Sequence, residues 1–278
     1  MELTSFIQWA KAQISEYKFI EEIEIYLMIE KVTGLSKSQI ILNPNKNLSA
    51  SDQETLSEYL NLRFTGKPLA VILGEKYFYK NSFVVNEHVL IPRPETEIMV
   101  EEAIEFLKTK LNPSFLDIGT GSGCIGLSVA KQVQASQGIL IEKSEQAFLV
   151  TQKNQKIIGI SNVKILNSEF KASLFNQMFD LILANPPYIA VTDPEVDPHV
   201  RKYEPHIALF ADDNGLALIK TWATESAKLL KPKGLLIFEI GYKQGPEVKE
   251  FFKNLNFFRS IQIKKDYSGQ DRFIFASL

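Results

Sequence analysis

The sequence predicts an α/β protein in which a small helical domain precedes a wound, mostly parallel sheet. Two observations carry this prediction. Short apolar segments alternate with helical patterns from residue 115 onward. One of these segments, Phe179–Ala184, is almost entirely apolar, which suits a strand covered on both faces of a parallel sheet.

The composition limits the kind of protein. Of the 278 residues, 45% are hydrophobic and 23% are charged, as in soluble globular proteins, and the net charge of −2 disfavours a broad nucleic-acid interface. The single cysteine, Cys124, excludes an intramolecular disulfide. Three scattered histidines indicate no metal site: His88, His199 and His206. Because no apolar run is long enough to span a membrane and the first residues do not resemble a signal peptide, we expect a cytoplasmic protein without membrane contact.

Residues 1–75 are predicted to form the helical domain. A segment of helix formers over 16–33 stops at Gly34, and Ser51 with Glu54 has the form of a capping box that begins a helix ending near Gly66. The domain contains seven Lys/Arg and ten Asp/Glu, a net of −3, which argues against a basic nucleic-acid module. It either docks a partner or caps the larger domain.

A short β-hairpin over residues 76–93 is predicted to connect this domain to the larger one, residues 94–278. Aromatic residues and valines flank Asn81, a residue type that tolerates turn conformations. Pro92 and Pro94 then hold an extended entry before a helix.

The first strand of the larger domain, 115–118, leads directly into a glycine loop. Gly119, Gly121 and Gly123 alternate with Thr120 and Ser122, and a helical pattern follows. Such a loop lets a ligand approach the backbone at the open end of a helix. About twenty residues later the next strand, 138–141, ends at Glu142, whose carboxylate can accept hydrogen bonds from both hydroxyls of a ribose.

This loop alone fits two kinds of cofactor. Gly121 begins a G-x-G-x-x-G pattern that is also typical of dinucleotide-binding enzymes. Two features favour S-adenosylmethionine. Asp117, just before the glycines, offers a carboxylate near the cationic amino-acid end of that donor, whereas it would repel a pyrophosphate. The second feature is the segment after Ala184, for which a hydride-transfer site has no use.

That segment is the tetrapeptide NPPY: Asn185, Pro186, Pro187 and Tyr188. The Asn185 amide and the Pro186 carbonyl can accept both protons of a planar –NH₂ group while the Tyr188 ring packs against it. The alternative interpretation is an ordinary loop in which the prolines only end the strand.

Four further segments are predicted to be strands: 163–166, 234–240, 257–263 and 272–276. Only the last two are joined without a helix, which predicts a terminal hairpin and one antiparallel strand. A seven-stranded mixed sheet of this kind is typical of the Rossmann-like fold of class I S-adenosylmethionine-dependent methyltransferases.

With these motifs the sequence resembles the protein-(glutamine-N5) methyltransferases of peptide chain release factors, the PrmC/HemK family. The resemblance covers nearly the whole chain. Its most specific part is the succession of three motifs: IPRPETE at 91–97, DxGTGSG at 117–123 and NPPY at 185–188.

The resemblance implies that the enzyme methylates the glutamine of the Gly-Gly-Gln motif in class I release factors, producing S-adenosylhomocysteine and supporting translation termination. It also implies that the helical domain helps to engage the release factor. We expect a monomer that binds no nucleic acid stably. The resemblance assigns donor binding to residues 119–123, Glu142, Phe170 and Asn185, substrate binding to Asn185, Pro186, Pro187 and Tyr188, and catalysis to Asn185, Pro186 and Tyr188.

The sequence departs from the family at three places. The family more often has Asp at the position of Glu142 and Trp at Phe170; both replacements keep hydroxyl acceptance and ring packing. After Glu204 the family's glycine-rich segment is replaced by residues 210–215. Two other functions stay open: amino methylation of DNA or RNA, and a non-enzymatic translation-factor binder.

Overall fold

The computed structural model describes all 278 residues, which form two compact units, Met1–Gly74 and Glu75–Leu278. No helix in either unit is both long and apolar enough to cross a membrane.

The amino-terminal unit is helical and encloses its own apolar core. Leu3, Ile29 and Leu56 are completely buried in that core. Burying such side chains is the main favourable contribution to folding. The five helices are α1 (Leu3–Ile14), α2 (Glu22–Thr33), α3 (Lys37–Leu42), α4 (Ala50–Phe64) and α5 (Leu69–Leu73).

The capping box that begins α4 lies two residues earlier than predicted. Ser49 Oγ accepts from the Asp52 backbone N–H at 3.0 Å, and Asp52 Oδ2 accepts from the Ser49 backbone N–H at 3.1 Å. The predicted pair, Ser51 and Glu54, therefore lies within the helix. Both pairs have suitable chemistry and spacing, so the local sequence could not decide between them.

The larger unit begins with an antiparallel hairpin of β1 (Glu75–Phe78) and β2 (Asn81–Val84). Tyr79 and Lys80 occupy its turn with positive φ angles, so Asn81 starts the second strand and is not the turn residue that the sequence predicted. The hairpin, which was expected to connect the domains, belongs to the larger unit.

A seven-stranded sheet forms the centre of the larger unit, which confirms the predicted fold class. The strands are β3 (Ser114–Ile118), β4 (Gln137–Glu142), β5 (Val163–Asn167), β6 (Phe179–Ala184), β9 (Leu230–Glu239), β10 (Ser260–Lys265) and β11 (Asp271–Ser277). Their spatial order is β10-β11-β9-β6-β3-β4-β5. Strand β11 is antiparallel to both of its neighbours, whereas the pairs from β9 to β5 are parallel.

Helices cover both faces of this sheet. The helices of this unit are α6 (Glu97–Lys108), α7 (Cys124–Gln132), α8 (Glu145–Ile158), α9 (Pro198–Tyr203), α10 (His206–Leu209), α11 (Ala217–Ala227) and α12 (Gly245–Asn254). Successive residues of β3 point to opposite sides of the sheet. Phe115 therefore packs in the core under α6 and α7, while Leu116 packs in the core under α11 and α12.

A small parallel sheet lies beyond the end of β6. It joins β7 (Ile189–Ala190) to β8 (Phe210–Ala211). The residues after β8 turn through the left-handed region, with positive φ at Asp213, Asn214 and Gly215. The segment that departs from the glycine-rich family pattern thus forms a strand and a tight turn beside NPPY.

Candidate active site

An open cavity lies where β3, β4 and β6 end. Ile118, Glu142 and Asn185, the last or next residue of each strand, all line it. Because the three strands are parallel, their carboxyl ends meet at one edge of the sheet, which is where open α/β sheets bind ligands.

The glycine loop forms one wall of this cavity. Gly119, Gly121 and Gly123 all have φ between +57° and +81°, a region that L side chains rarely adopt. A Cβ on Gly121 would meet no atom within 4 Å, so the backbone here faces open space. Ser122 also lines the cavity, and its Oγ is buried without a hydrogen-bond partner. An open backbone and an unpartnered hydroxyl fit a polar ligand.

Asp117 lies beneath the loop and is not part of the cavity wall. Its side chain is completely buried, and Oδ2 accepts hydrogen bonds from the Thr120 hydroxyl at 2.6 Å and from the Gly126 backbone N–H at 3.0 Å. Its Oδ1 has no partner. This arrangement differs from the expected contact with the amino-acid end of the donor: the carboxylate shapes the loop from behind.

Burial raises the pKa of the Asp117 carboxyl from 3.8 to about 6. Between these two pH values the folded state holds a proton that the unfolded state has released, so the free energy of unfolding falls as pH rises through this range, by on the order of 3 kcal/mol. We expect Asp117→Asn to remove this loss. In urea unfolding experiments, the free energy of unfolding of the variant should rise progressively relative to that of the wild type from pH 4 to pH 7.

Asp180→Asn provides the matched control for that measurement. Partial burial disfavours the charged form of Asp180, but hydrogen bonds from Lys231 Nζ and from the Ser114 backbone N–H outweigh this effect and lower its pKa. Its contribution to stability is therefore lost as pH falls, and the control should change the pH dependence in the opposite direction. Identical pH profiles for the two variants would contradict the assignment of Asp117.

Glu142 lines the cavity, and its carboxylate contacts the glycine loop. Its Oε2 accepts from the Gly121 backbone N–H at 2.9 Å, and its Oε1 accepts from the Ser144 backbone N–H at 2.9 Å. Each carboxylate oxygen can accept a further hydrogen bond. The two backbone contacts thus orient the group while leaving it able to accept from ligand hydroxyls.

Two aromatic rings face the cavity beside Glu142. Phe170 is 6% exposed, and its ring meets Trp222 edge to face, with centroids 6.5 Å apart. A Cβ on Gly119 would lie 2.7 Å from the Trp222 ring, so glycine is required there for the indole to pack against the loop. Sequence reasoning missed Trp222, because an aromatic residue on an apolar helix stripe is usually a core residue.

The structure brings part of NPPY into the cavity. Asn185 is half-buried, lines the cavity, and its side-chain amide makes no hydrogen bond within the chain. Pro187 also lines it, whereas Pro186, which is buried, and Tyr188 are not among the lining residues. No backbone N–H in a loop or turn donates to the Pro186 carbonyl. Asn185 thus offers an unused amide in the same cavity as the glycine loop.

Residues of the IPRPETE segment also line the cavity. Pro92, Arg93 and Thr96 line the cavity, and Arg93 donates to Glu204 Oε1 at 2.5 Å. The Glu204 side chain is 1% exposed and also accepts from the Ile91 backbone N–H at 3.1 Å. The sequence did not predict this ion pair, because its partners are 111 positions apart.

Cys124 completes the wall at the start of α7. Burial raises the pKa of its thiol to about 12, so the side chain stays a neutral thiol and acts as a small packing residue.

Two family models match this chain. The PrmC N-terminal domain matches residues 5–74, and the methyltransferase small domain matches residues 96–199.

Curated relatives align with nearly the whole chain. A release factor glutamine methyltransferase of Flavobacterium psychrophilum is 38% identical over 279 residues, which cover 98% of this chain and 96% of the relative. One of Caulobacter vibrioides is 36% identical over 255 residues, which cover 91% of this chain and 88% of the relative.

Solved structures share the fold at lower identity. The hMettl16 catalytic domain, determined with the MAT2A 3′UTR hairpin 6, has a TM-score of 0.58 and 16% identity over 83% of each chain. A methyltransferase from Pyrococcus furiosus has a TM-score of 0.51 and 18% identity over 82% of this chain and 98% of the other.

Proposed function

The chain belongs to the release factor glutamine methyltransferases, and from this membership we infer that it transfers the methyl group of S-adenosylmethionine to the side-chain nitrogen of a release factor glutamine. The observation that carries the inference is the shared cavity, in which the glycine loop and Glu142 lie on the same sheet edge as the unpartnered Asn185 amide. We propose that the acceptor is the glutamine of a Gly-Gly-Gln motif in class I release factors and that the second product is S-adenosylhomocysteine.

The walls around Glu142 provide the donor site in this proposal. Glu142 accepts from the ribose hydroxyls, the Phe170 ring packs on the adenine, and the glycine loop with Ser122 meets the polar amino-acid end. S-adenosylmethionine supplies an electrophilic methyl group on a sulfonium.

Asn185 and Pro186 provide the acceptor site. An amide nitrogen is a poor nucleophile because its lone pair is delocalised. The Asn185 Oδ1 and the Pro186 carbonyl accept its two protons, which orients the nitrogen and favours the partial positive charge that develops during attack. The Tyr188 ring packs near the amide plane. This mechanism depends on position and electrostatics, with no covalent enzyme intermediate.

The helical unit is assigned a docking role in this proposal. It matches the PrmC N-terminal domain over residues 5–74, and its net charge of −3 over residues 1–75 is unsuited to nucleic acid. We propose that it engages the release factor, and that the enzyme acts as a monomer in the cytoplasm, where translation occurs.

Tritiated methyl transfer tests this function. The full chain is incubated with labelled donor and, in separate reactions, with a class I release factor, the same factor carrying Gln→Glu in its Gly-Gly-Gln motif, duplex DNA and RNA. We expect label only in the unmodified release factor. Label in DNA or RNA would support nucleic-acid amino methylation instead, and binding of the factor without transfer of label would indicate a non-enzymatic binder.

A further inference from the structure

A buried carboxylate lies directly behind NPPY. Glu239 is the last residue of β9, which pairs in parallel with β6, so it ends at the sheet edge beside Asn185. It is 2% exposed. No Lys or Arg forms a salt bridge with it, and both of its oxygens accept from neutral hydroxyls: Oε1 from Tyr188 at 3.2 Å and Oε2 from Thr96 at 2.7 Å.

Stability of the fold does not explain this carboxylate. Burial raises the pKa of Glu239, whereas its two hydroxyl contacts and the positive charge of Arg272 lower it. Arg272 itself pairs with another acid, since its Nε donates to Asp266 at 3.1 Å. A buried acid without an ion pair is costly, and an apolar side chain of similar shape would serve a core at least as well. The side chain therefore needs an explanation other than packing.

One of the two hydroxyls that Glu239 holds belongs to NPPY, and the other belongs to the cavity wall. Tyr188 is the last residue of NPPY, and Thr96 is the last residue of the 3₁₀ turn Pro94–Thr96 and lines the cavity. Phenylalanine would provide the same aromatic face for packing. The Tyr188 hydroxyl is therefore explained by its hydrogen bond to Glu239. At the other end of the residue, Gln244 Nε2 donates to the Tyr188 carbonyl at 2.9 Å. The tyrosine is thus held at both ends.

We propose that Glu239 is a positioning residue for glutamine methylation. By holding the Tyr188 and Thr96 hydroxyls on its two oxygens, it sets the distance between the NPPY ring and the cavity wall at Thr96 that the acceptor amide requires. This inference rests on the proposed function. Glu239 acts through Tyr188 and touches neither substrate.

A double-mutant cycle with Glu239→Gln and Tyr188→Phe tests the inference. Glutamine has the same shape but offers one acceptor where two are needed. We expect each single variant to lower kcat by about 10- to 100-fold, since small displacements of reacting groups have effects of this size. The affinity for S-adenosylmethionine, measured by calorimetry, should change by less than about threefold. The double variant should lose less than the product of the two single losses, because both changes disrupt the same Tyr188–Glu239–Thr96 contacts.

Asp180→Asn serves as the control, because that acid lies at the opposite end of β6 and should leave kcat unchanged. Wild-type kcat in Glu239→Gln, or multiplied losses in the double variant, would overturn the inference. If Glu239→Gln does not fold, Thr96→Val and Tyr188→Phe replace it, and each must lower kcat at unchanged donor affinity. Failure of the wild type to methylate the release factor while it binds the donor would instead contradict the proposed function.

Discussion

Asn185→Ala is expected to slow glutamine methylation severely while the protein still binds S-adenosylmethionine. The variant loses the acceptor oxygen that orients the amide nitrogen, and removal of one such preorganised group in other enzymes costs roughly 10²- to 10³-fold in kcat. Because the wild-type Asn185 side chain makes no hydrogen bond within the chain, its removal leaves no buried partner unsatisfied. The unfolding midpoint should therefore stay near that of the wild type.

Single-turnover methyl transfer to a release factor measures the first effect, and calorimetric titration with the donor measures the second. Asn254→Ala is the matched control, since Asn254 is exposed at the end of α12 and away from the cavity lining. Unchanged glutamine methylation by Asn185→Ala would refute the catalytic assignment of NPPY.

Gly215→Ala is expected to displace the NPPY loop. Gly215 has φ +86°, and a Cβ there would lie 2.1 Å from the Tyr188 carbonyl oxygen and 2.6 Å from its carbonyl carbon. Backbone atoms at that distance must move. We expect kcat to fall by about 100-fold because the acceptor site shifts relative to the donor. The free energy of unfolding should fall by about 1–3 kcal/mol, the usual cost of a non-glycine residue held in a strained conformation.

Gly159→Ala separates strain from displacement. Gly159 ends α8 with φ +76°, and a Cβ there would meet no atom within 4 Å. The free energy of unfolding of Gly159→Ala should fall by an amount similar to that of Gly215→Ala, but its activity should stay at the wild-type level. Equal activities of the two variants would show that the contact between Gly215 and Tyr188 does not position NPPY.

We expect the two halves of the cavity to respond to different changes. In the proposed function the donor half consists of Glu142, the glycine loop and Phe170, whereas the acceptor half consists of Asn185 and the residues that hold Tyr188. Variants of the acceptor half should therefore change kcat at nearly constant donor affinity, and that separation is the common readout of the predictions for Asn185, Gly215 and Glu239.

Sequence patterns were sufficient to predict the fold class, the seven strands of the main sheet and the sheet edge where Glu142 and Asn185 meet. These features follow from local patterns, namely apolar segments, glycine and proline breaks, and the rule that parallel strands end on one side. Where two local signals were equivalent, as with Ser49 and Ser51 before α4, the prediction missed by two residues.

The side chains that support the site could be identified only from the packing of the folded chain. This packing turned Asp117 under the loop and paired Arg93 with Glu204. It also joined Thr96 to Glu239 across 143 positions of sequence. The physical reason is that a buried polar group takes its partner from whatever the packed elements bring within about 3 Å. Sequence spacing does not encode that choice.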